Sequence, residues 1–198
     1  MNFFLIILMA LLISSCSVFP FSAPEMSLEN LFYIEKSDFK TMNSYDPPLL
    51  RLSQNYNSGL YVINLKANKN ILEFLKENGV YISSRAYFCD QPLQSTQLDY
   101  PEVYFNKKAR RNINYDTHYE ENFDTVSIII IERNSKEIKI DFPSVHHGQK
   151  FYLKHNLANS PEDVCVYLRG SDILFSYETN KVRVSSELLE EARKNAYR

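Results

Sequence analysis

Thr125-Val126-Ser127-Ile128-Ile129-Ile130-Ile131-Glu132, then the polar triplet Arg133-Asn134-Ser135 and Ile138-Lys139-Ile140-Asp141-Phe142, form the stretch that decides the class of fold. β-Branched side chains crowd a helix but fit a pleated surface. A run of isoleucines bounded by turn formers therefore reads as a strand, and the alternating segment after the turn reads as its antiparallel hairpin partner.

Working outward, Leu60-Tyr61-Val62-Ile63-Asn64-Leu65 is a second run of strand length. After it, Asn70 and Glu73 have the spacing of a capping box. They predict a short helix with Ile71, Leu72 and Leu75 on one face, stopped at Asn78-Gly79. Val80 to Cys89 alternates as a long strand, with Val80, Ile82, Ser84, Ala86 and Phe88 facing the core. Short strands are expected near 151–153, 164–168, 174–177 and 181–184, and an end helix from Ser186. Ser17 to Ser27, with Pro20 and Pro24, reads as a tether followed by a Pro-containing segment, and a globular pattern becomes clear only near Gly59. Residues 90–124 read as a long polar and aromatic connection, a length usually reserved for function. Many short strands with few helical periods predict a mainly β chain, an antiparallel β-sandwich with one short internal helix and a C-terminal helix.

The first residues carry a different signal. Met1 to Ser15 holds no charged side chain, and Phe3 to Ile13 is an apolar run of signal-peptide length. It is shorter than the roughly 20 residues that span a bilayer. It leads into Ile13-Ser14-Ser15-Cys16, which resembles the bacterial lipobox, so Cys16 is read as the lipidated first residue of an exported lipoprotein. Asn2 stands where a basic residue is usual, and an ordinary signal peptide or an uncleaved anchor, with Cys16 incidental, is the alternative. Ser17, rather than Asp, directs the expectation to the outer membrane, with the domain facing the periplasm. The expected division is a signal peptide over 1–15, a lipidated tether over 16–27 and a single β-rich domain over 28–198.

Besides Cys16 the chain has Cys89 and Cys165, and in an oxidising compartment such a pair predicts one structural disulfide stapling two strands. Neither lies in a Cys-x-x-Cys motif, which speaks against redox work.

The formal net charge of −2 and a pI near 6.1 argue against nucleic acid. The basic run Lys107-Lys108-Ala109-Arg110-Arg111 is either a solvated loop between strands or an electrostatic contact for an acidic partner or lipid headgroup. With 4 Gly, no Trp, 14 Tyr and 13 Phe, the core leans on aromatics and offers little for a phosphate-cradling loop. No nucleophile elbow or Ser-x-x-Lys occurs. His146, His147 and His155, with Asp141 or Glu162, match no standard zinc spacing, so no metal or cofactor is expected. Glu120-Glu121 and Glu190-Glu191 read as solvated surface. Catalysis is not expected. Tyr100, Tyr104, Tyr115 and Tyr119, beside Arg110, Arg111 and His118, have the composition of a protein-recognition surface, or else pack on the sheet.

The segment Asn159-Ser160-Pro161-Glu162-Asp163-Val164-Cys165-Val166-Tyr167-Leu168-Arg169-Gly170, with Ser176-Tyr177-Glu178-Thr179-Asn180-Lys181-Val182 and the earlier Tyr87-Phe88-Cys89-Asp90, resembles a group of small enterobacterial-type periplasmic lipoproteins. Some of that group are described as type VI secretion immunity proteins. These motifs are scaffold motifs and carry over no active residue. The resemblance implies a periplasmic domain that binds an incoming toxin and occludes it. A structural or assembly lipoprotein of an envelope or secretion machine, similar to transthyretin- or immunoglobulin-like sandwiches in such systems, is the competing reading, with an enzyme or ligand carrier third.

Overall fold

The computed structural model describes residues 22–35, 37–38, 59–78, 81–90, 102–105, 108–109, 123–132, 139–140, 151–152, 157, 162–171 and 176–196. The strands are β1 (Met26–Ile34), β2 (Leu60–Ala67), β3 (Tyr81–Phe88), β4 (Glu102–Phe105), β5 (Lys108–Ala109), β6 (Thr125–Ile131), β7 (Lys139–Ile140), β8 (Phe151–Tyr152), β9 (Val164–Ser171), β10 (Ser176–Glu178) and β11 (Val182–Val184). The helices are α1 (Ile71–Asn78) and α2 (Ser186–Ala196).

β6 is central in a five-stranded antiparallel sheet ordered β1-β2-β6-β4-β5. Its Val126, Ile128 and Ile130 enter the main core, while Ile129 on the opposite face is also buried, with Val62 as its cross-strand neighbour. A strand covered on both faces reads as a continuous apolar run, which is why the isoleucines are consecutive. The second sheet is built on β9, with β3 along one side and β10 and β11 end to end along the other. Ile63, Leu65, Val126 and Ile128 of the first sheet share one core with Ile82, Ala86, Phe88, Val164, Val166 and Leu168 of the second. Two antiparallel sheets facing each other across one core, with two helices, make the chain mainly β and sandwich-like.

Both predicted helices form. The side chain of Asn70 caps α1, accepting from the N–H groups of Leu72 and Glu73 at 3.1 and 3.4 Å, and Ile71, Leu72, Phe74 and Leu75 are buried. α2 lies against β1 and buries Leu189, with Ala192 and Ala196 packed on the same core.

The structure departs from the sequence reading at three places. β6 does not form a hairpin with Ile138–Phe142: both of its edges are taken by β2 and β4, and Lys139–Ile140 pairs instead with Phe151–Tyr152. The connection read over 90–124 contains β4 and β5, and Val103 and Phe105 are core residues. The segment read as tether and linker contains β1, which begins at Met26 (4 % exposed), inside the expected tether. A bulge between Leu28 and Asn30 hides β1 in the sequence. Met26 and Leu28 before it, and Leu31 and Tyr33 after it, all touch the main core, although their spacing changes parity.

Cys89 and Cys165 form a disulfide between β9 and the chain just after β3, with Cα atoms 5.0 Å apart and a sequence separation of 76. Tyr87 and Tyr167 cover it on the face away from the main core. At the far end of β1, the Tyr33 hydroxyl donates to Glu132 Oε2 at 2.5 Å, and Arg193 of α2 pairs with Glu132 Oε1. Glu132 is only 5 % exposed. Gly59, whose carbonyl accepts from the Glu132 N–H at 3.0 Å, is needed here because a Cβ would overlap the Tyr33 ring.

Two outcomes are expected. Replacing both Cys89 and Cys165 with Ser lowers stability by about 4.5 kcal/mol, the chain-entropy value for a loop of this length. Urea unfolding with and without reductant measures it, and the double variant should be insensitive to the reductant. Arg193→Ala leaves the Glu132 carboxylate buried without its cation. It should cost about 2 kcal/mol, below the usual range for a fully buried pair because Arg193 keeps 28 % of its side chain exposed; a Glu132→Gln, Arg193→Ala double variant should recover part of that loss.

Candidate functional site

Of the residues proposed for recognition, Tyr104 is described, and it is not a surface residue. It lies on β4 opposite Ser127, on the side of the sheet facing away from the main core, and is 0 % exposed. A strand buried on both faces has no outward position at its centre, so Tyr104 is removed from the recognition set. Tyr100, Arg110, Arg111, Tyr115, His118 and Tyr119 lie outside the described residues, as do Cys16 and the histidines His146, His147 and His155.

What the structure does define is how the segment 110–122 is attached. It leaves from β5, which is held to β4 by the pairs Tyr104↔Ala109 and Phe105↔Lys108. It returns at Phe123, fully buried and packed edge-on to Phe105 with ring centroids 6.4 Å apart. The Phe123 carbonyl accepts from the Ile71 N–H at the start of α1 at 2.9 Å, and the Asp124 carbonyl accepts from the Ala67 N–H at 2.6 Å. The Asp124 carboxylate pairs with Lys66 at 2.5 Å.

Beside that return point an open groove of about 420 Å³ is lined by Glu25, Met26, Ser27, Lys66, Ala67, Asn68 and Asn180. Its polar atoms are largely committed to holding the fold, and one side chain links the two sheets. The Asn180 amide bridges to β1: its Oδ1 accepts from the Met26 N–H at 2.6 Å and its Nδ2 donates to the Met26 carbonyl at 2.7 Å. Asn180 is free to do so because Thr179 interrupts the line from β10 to β11. The Thr179 N–H donates to the Leu168 carbonyl and its hydroxyl accepts from the Leu168 N–H, both at 3.0 Å. Asn68 Oδ1 takes the Glu25 N–H at 3.0 Å. The hydrogen bond to Asp124 raises the pKa of Lys66, and the same bond lowers that of Asp124. Neither group is poised to trade a proton near neutrality, which general acid–base work requires. Among the described residues no group of three His, Cys, Asp or Glu side chains comes together as a metal site.

A second charged cluster lies near the disulfide. Arg183 of β11 pairs with Asp163 at 2.5 Å and with Asp90 at 2.8 Å. The other oxygen of Asp163 accepts from the Ser186 N–H at the start of α2 at 2.8 Å. That backbone hydrogen bond first, and Arg183 second, hold the Asp163 carboxyl below its usual range. Lys181 extends its ammonium over Tyr87 and Tyr167, 5.7 and 5.8 Å from the ring centroids. Burial raises the pKa of Tyr167. Asn180, Asp163 and Glu132 carry these roles with little signal in the residues themselves beyond their position at otherwise apolar strand ends, where a polar side chain needs a partner.

Comparison with protein-family models, with curated proteins and with solved structures finds no match for the chain.

The depressed carboxyls set an acid limit. A group whose folded pKa lies below its unfolded value of about 3.9 contributes stability above that value and loses it as pH falls through the folded pKa. Stability should therefore drop on acidification from about pH 4 downward. Asp163→Asn, which also weakens the electrostatic cap of α2, should be less stable at pH 7 by about 1 kcal/mol and show a shallower loss between pH 5 and pH 3, read from urea midpoints across that range.

Proposed function

We propose that the chain is a membrane-anchored periplasmic lipoprotein, lipidated at Cys16 and held at the outer membrane, that binds a secreted antibacterial toxin and neutralises it by occlusion, without chemistry of its own. The observation that carries this reading is that both ends of the segment bearing Arg110, Arg111, Tyr115, His118 and Tyr119 are built into one sheet. One end continues β5; the other is Phe123 in the core and Asp124 paired with Lys66. A polar, tyrosine-rich connection whose roots are fixed by strand pairing and core packing is the usual arrangement for recognition on a rigid scaffold.

Further support comes from the lipobox-like Ile13-Ser14-Ser15-Cys16 and from the scaffold-level likeness to immunity lipoproteins around Asp163–Gly170 and Asn180–Val182. The disulfide fits a chain that works outside the reducing cytoplasm. Tyr and Arg contribute disproportionately to binding energy at interfaces. An inhibitor of this kind needs only to cover its target's active site.

The deciding experiment is affinity purification of the mature domain, made as a Cys16→Ser variant in the periplasm, against lysate of its own strain containing secreted effectors. Stoichiometric capture of a secreted toxin whose activity the domain abolishes is expected. The combined change Arg110→Glu, Arg111→Glu, Tyr115→Ala should weaken that capture at least 30-fold, the effect of removing about 2 kcal/mol of interface energy, while the urea midpoint stays put. Capture of envelope secretion components with no inhibited toxin would instead establish an assembly role.

A further inference from the structure

The geometry points to one end of the sandwich, the end carrying Ser22, Ser27, Lys66, Lys69 and Asn180, as the surface that rests on the phospholipid headgroups of the anchoring membrane. The inference rests on the lipidation of Cys16 proposed above.

The first step is the length of chain outside the described fold. Ser22 is the first described residue, and from there the chain is held to the domain. Lys69 Nζ donates to the Ser22 carbonyl at 2.5 Å, Pro24 is buried, Asn68 takes the Glu25 N–H at 3.0 Å, and Asn180 clamps Met26 on both sides. Between Cys16 and Ser22 only residues 17–21 intervene, which fully extended reach about 22 Å. β1 then runs away from this end for its full length, about 26 Å by strand rise, to Ser37 and Asp38, both exposed. The tether is therefore shorter than the strand it feeds. With Cys16 in the lipid, Ser22 stands within about 22 Å of the bilayer, and turning the Ser37 end down onto it would lift Ser22 by the length of β1, beyond that reach, while the contacts to Ser22, Glu25 and Met26 persist.

The second step is the chemistry of that end. Lys69 lies over Phe74 at 4.7 Å. An ammonium carried on an aromatic support suits the headgroup layer, where aromatic rings and snorkelling lysines are enriched. Lys66 is offset by Asp124, and Glu25 stands nearby. The end is thus close to neutral, which fits a surface held down by lipid and tether rather than one recruited by charge. One consequence follows for the partner: segment 110–122 returns to the fold at Phe123–Asp124, beside Lys66 and Ile71, at this same end. A toxin gripped by that segment would be met close to the lipid surface.

The test uses the full lipidated protein, purified from membranes and reconstituted into vesicles of phosphatidylethanolamine and phosphatidylglycerol at about 3:1, with a fluorophore on Ser27→Cys or Ser37→Cys. Quenching by headgroup-labelled lipid is expected to be at least fivefold stronger at position 27 than at 37, and inserting a long Gly/Ser linker after Ser17 should erase the difference. Equal quenching in vesicle-bound protein, or stronger quenching at 37, would overturn the orientation and leave the anchor standing. A mature protein whose mass lacks the diacylglyceryl group and which does not bind vesicles would remove the anchor, and the orientation with it.

Discussion

The burial of β6 from both sides is the constraint on which the rest of the structure depends. Ile128 and Ile130 face one core and Ile129 the other side, all at most 2 % exposed. Each contributes on the order of 1.5–3 kcal/mol relative to an exposed side chain, but only if layers exist on both faces of the sheet. One layer is the second sheet, supplied through β3 and β9. On the other face, Leu60, Val62, Ile129 and Tyr104 are sealed as well. Further toward Lys66 that same outer face turns polar: Asn64 bonds to Asn30 and Ser127 to Asn64, each at 2.6 Å. The sheet is therefore doubly covered at one end and open to water at the other.

A sheet with a buried centre leaves its edges to be secured separately, and the chain does so with a few specific links. Asn180 ties β1 to the second sheet through two hydrogen bonds to the Met26 backbone. Glu132 ties the far end of β1 to α2 through Tyr33 and Arg193. Asp163 ties β11 to the start of α2, and the disulfide ties β9 to the chain after β3. The links differ in weight. Exposed pairs such as Arg183 with Asp90, whose side chains are 54 % and 70 % exposed, are worth little. The disulfide, at about 4.5 kcal/mol, is comparable with the whole net stability of a modest domain.

Local periodicity explains how much of this could be read from the sequence. β3 and both helices were readable because their apolar positions keep one period, and β2 and β9 because each is a continuous β-branched and aromatic run of strand length. The pairing of β6 was not, because a strand with both edges and both faces buried gives no sign of which neighbour it takes; adjacency in sequence favoured Ile138–Phe142, and tertiary packing favoured β2 and β4. β1 was hidden by its bulge, which shifts the apolar parity between Leu28 and Leu31. β4 was hidden because Val103, Tyr104 and Phe105 are apolar in succession and follow Pro101 in an otherwise polar stretch. Tyr104 entered the recognition set for the same reason: composition records that tyrosines are frequent in a segment, and only the sheet decides which one is buried.

The resolved shifts keep Lys66 cationic and Asp124 and Asp163 anionic, each through a partner that also supports the fold. The binding role proposed above asks for a scaffold stiff enough to present a segment without a large ordering cost on association. Segment 110–122 is anchored at one root by strand pairing and at the other by a buried phenylalanine and an ion pair, so the entropy of closing that connection is met by folding rather than by binding. Its return root, Phe123–Asp124, lies beside the residues that hold Ser22, Glu25 and Met26, so under the proposed lipid anchor the same contacts would keep that root close to the membrane.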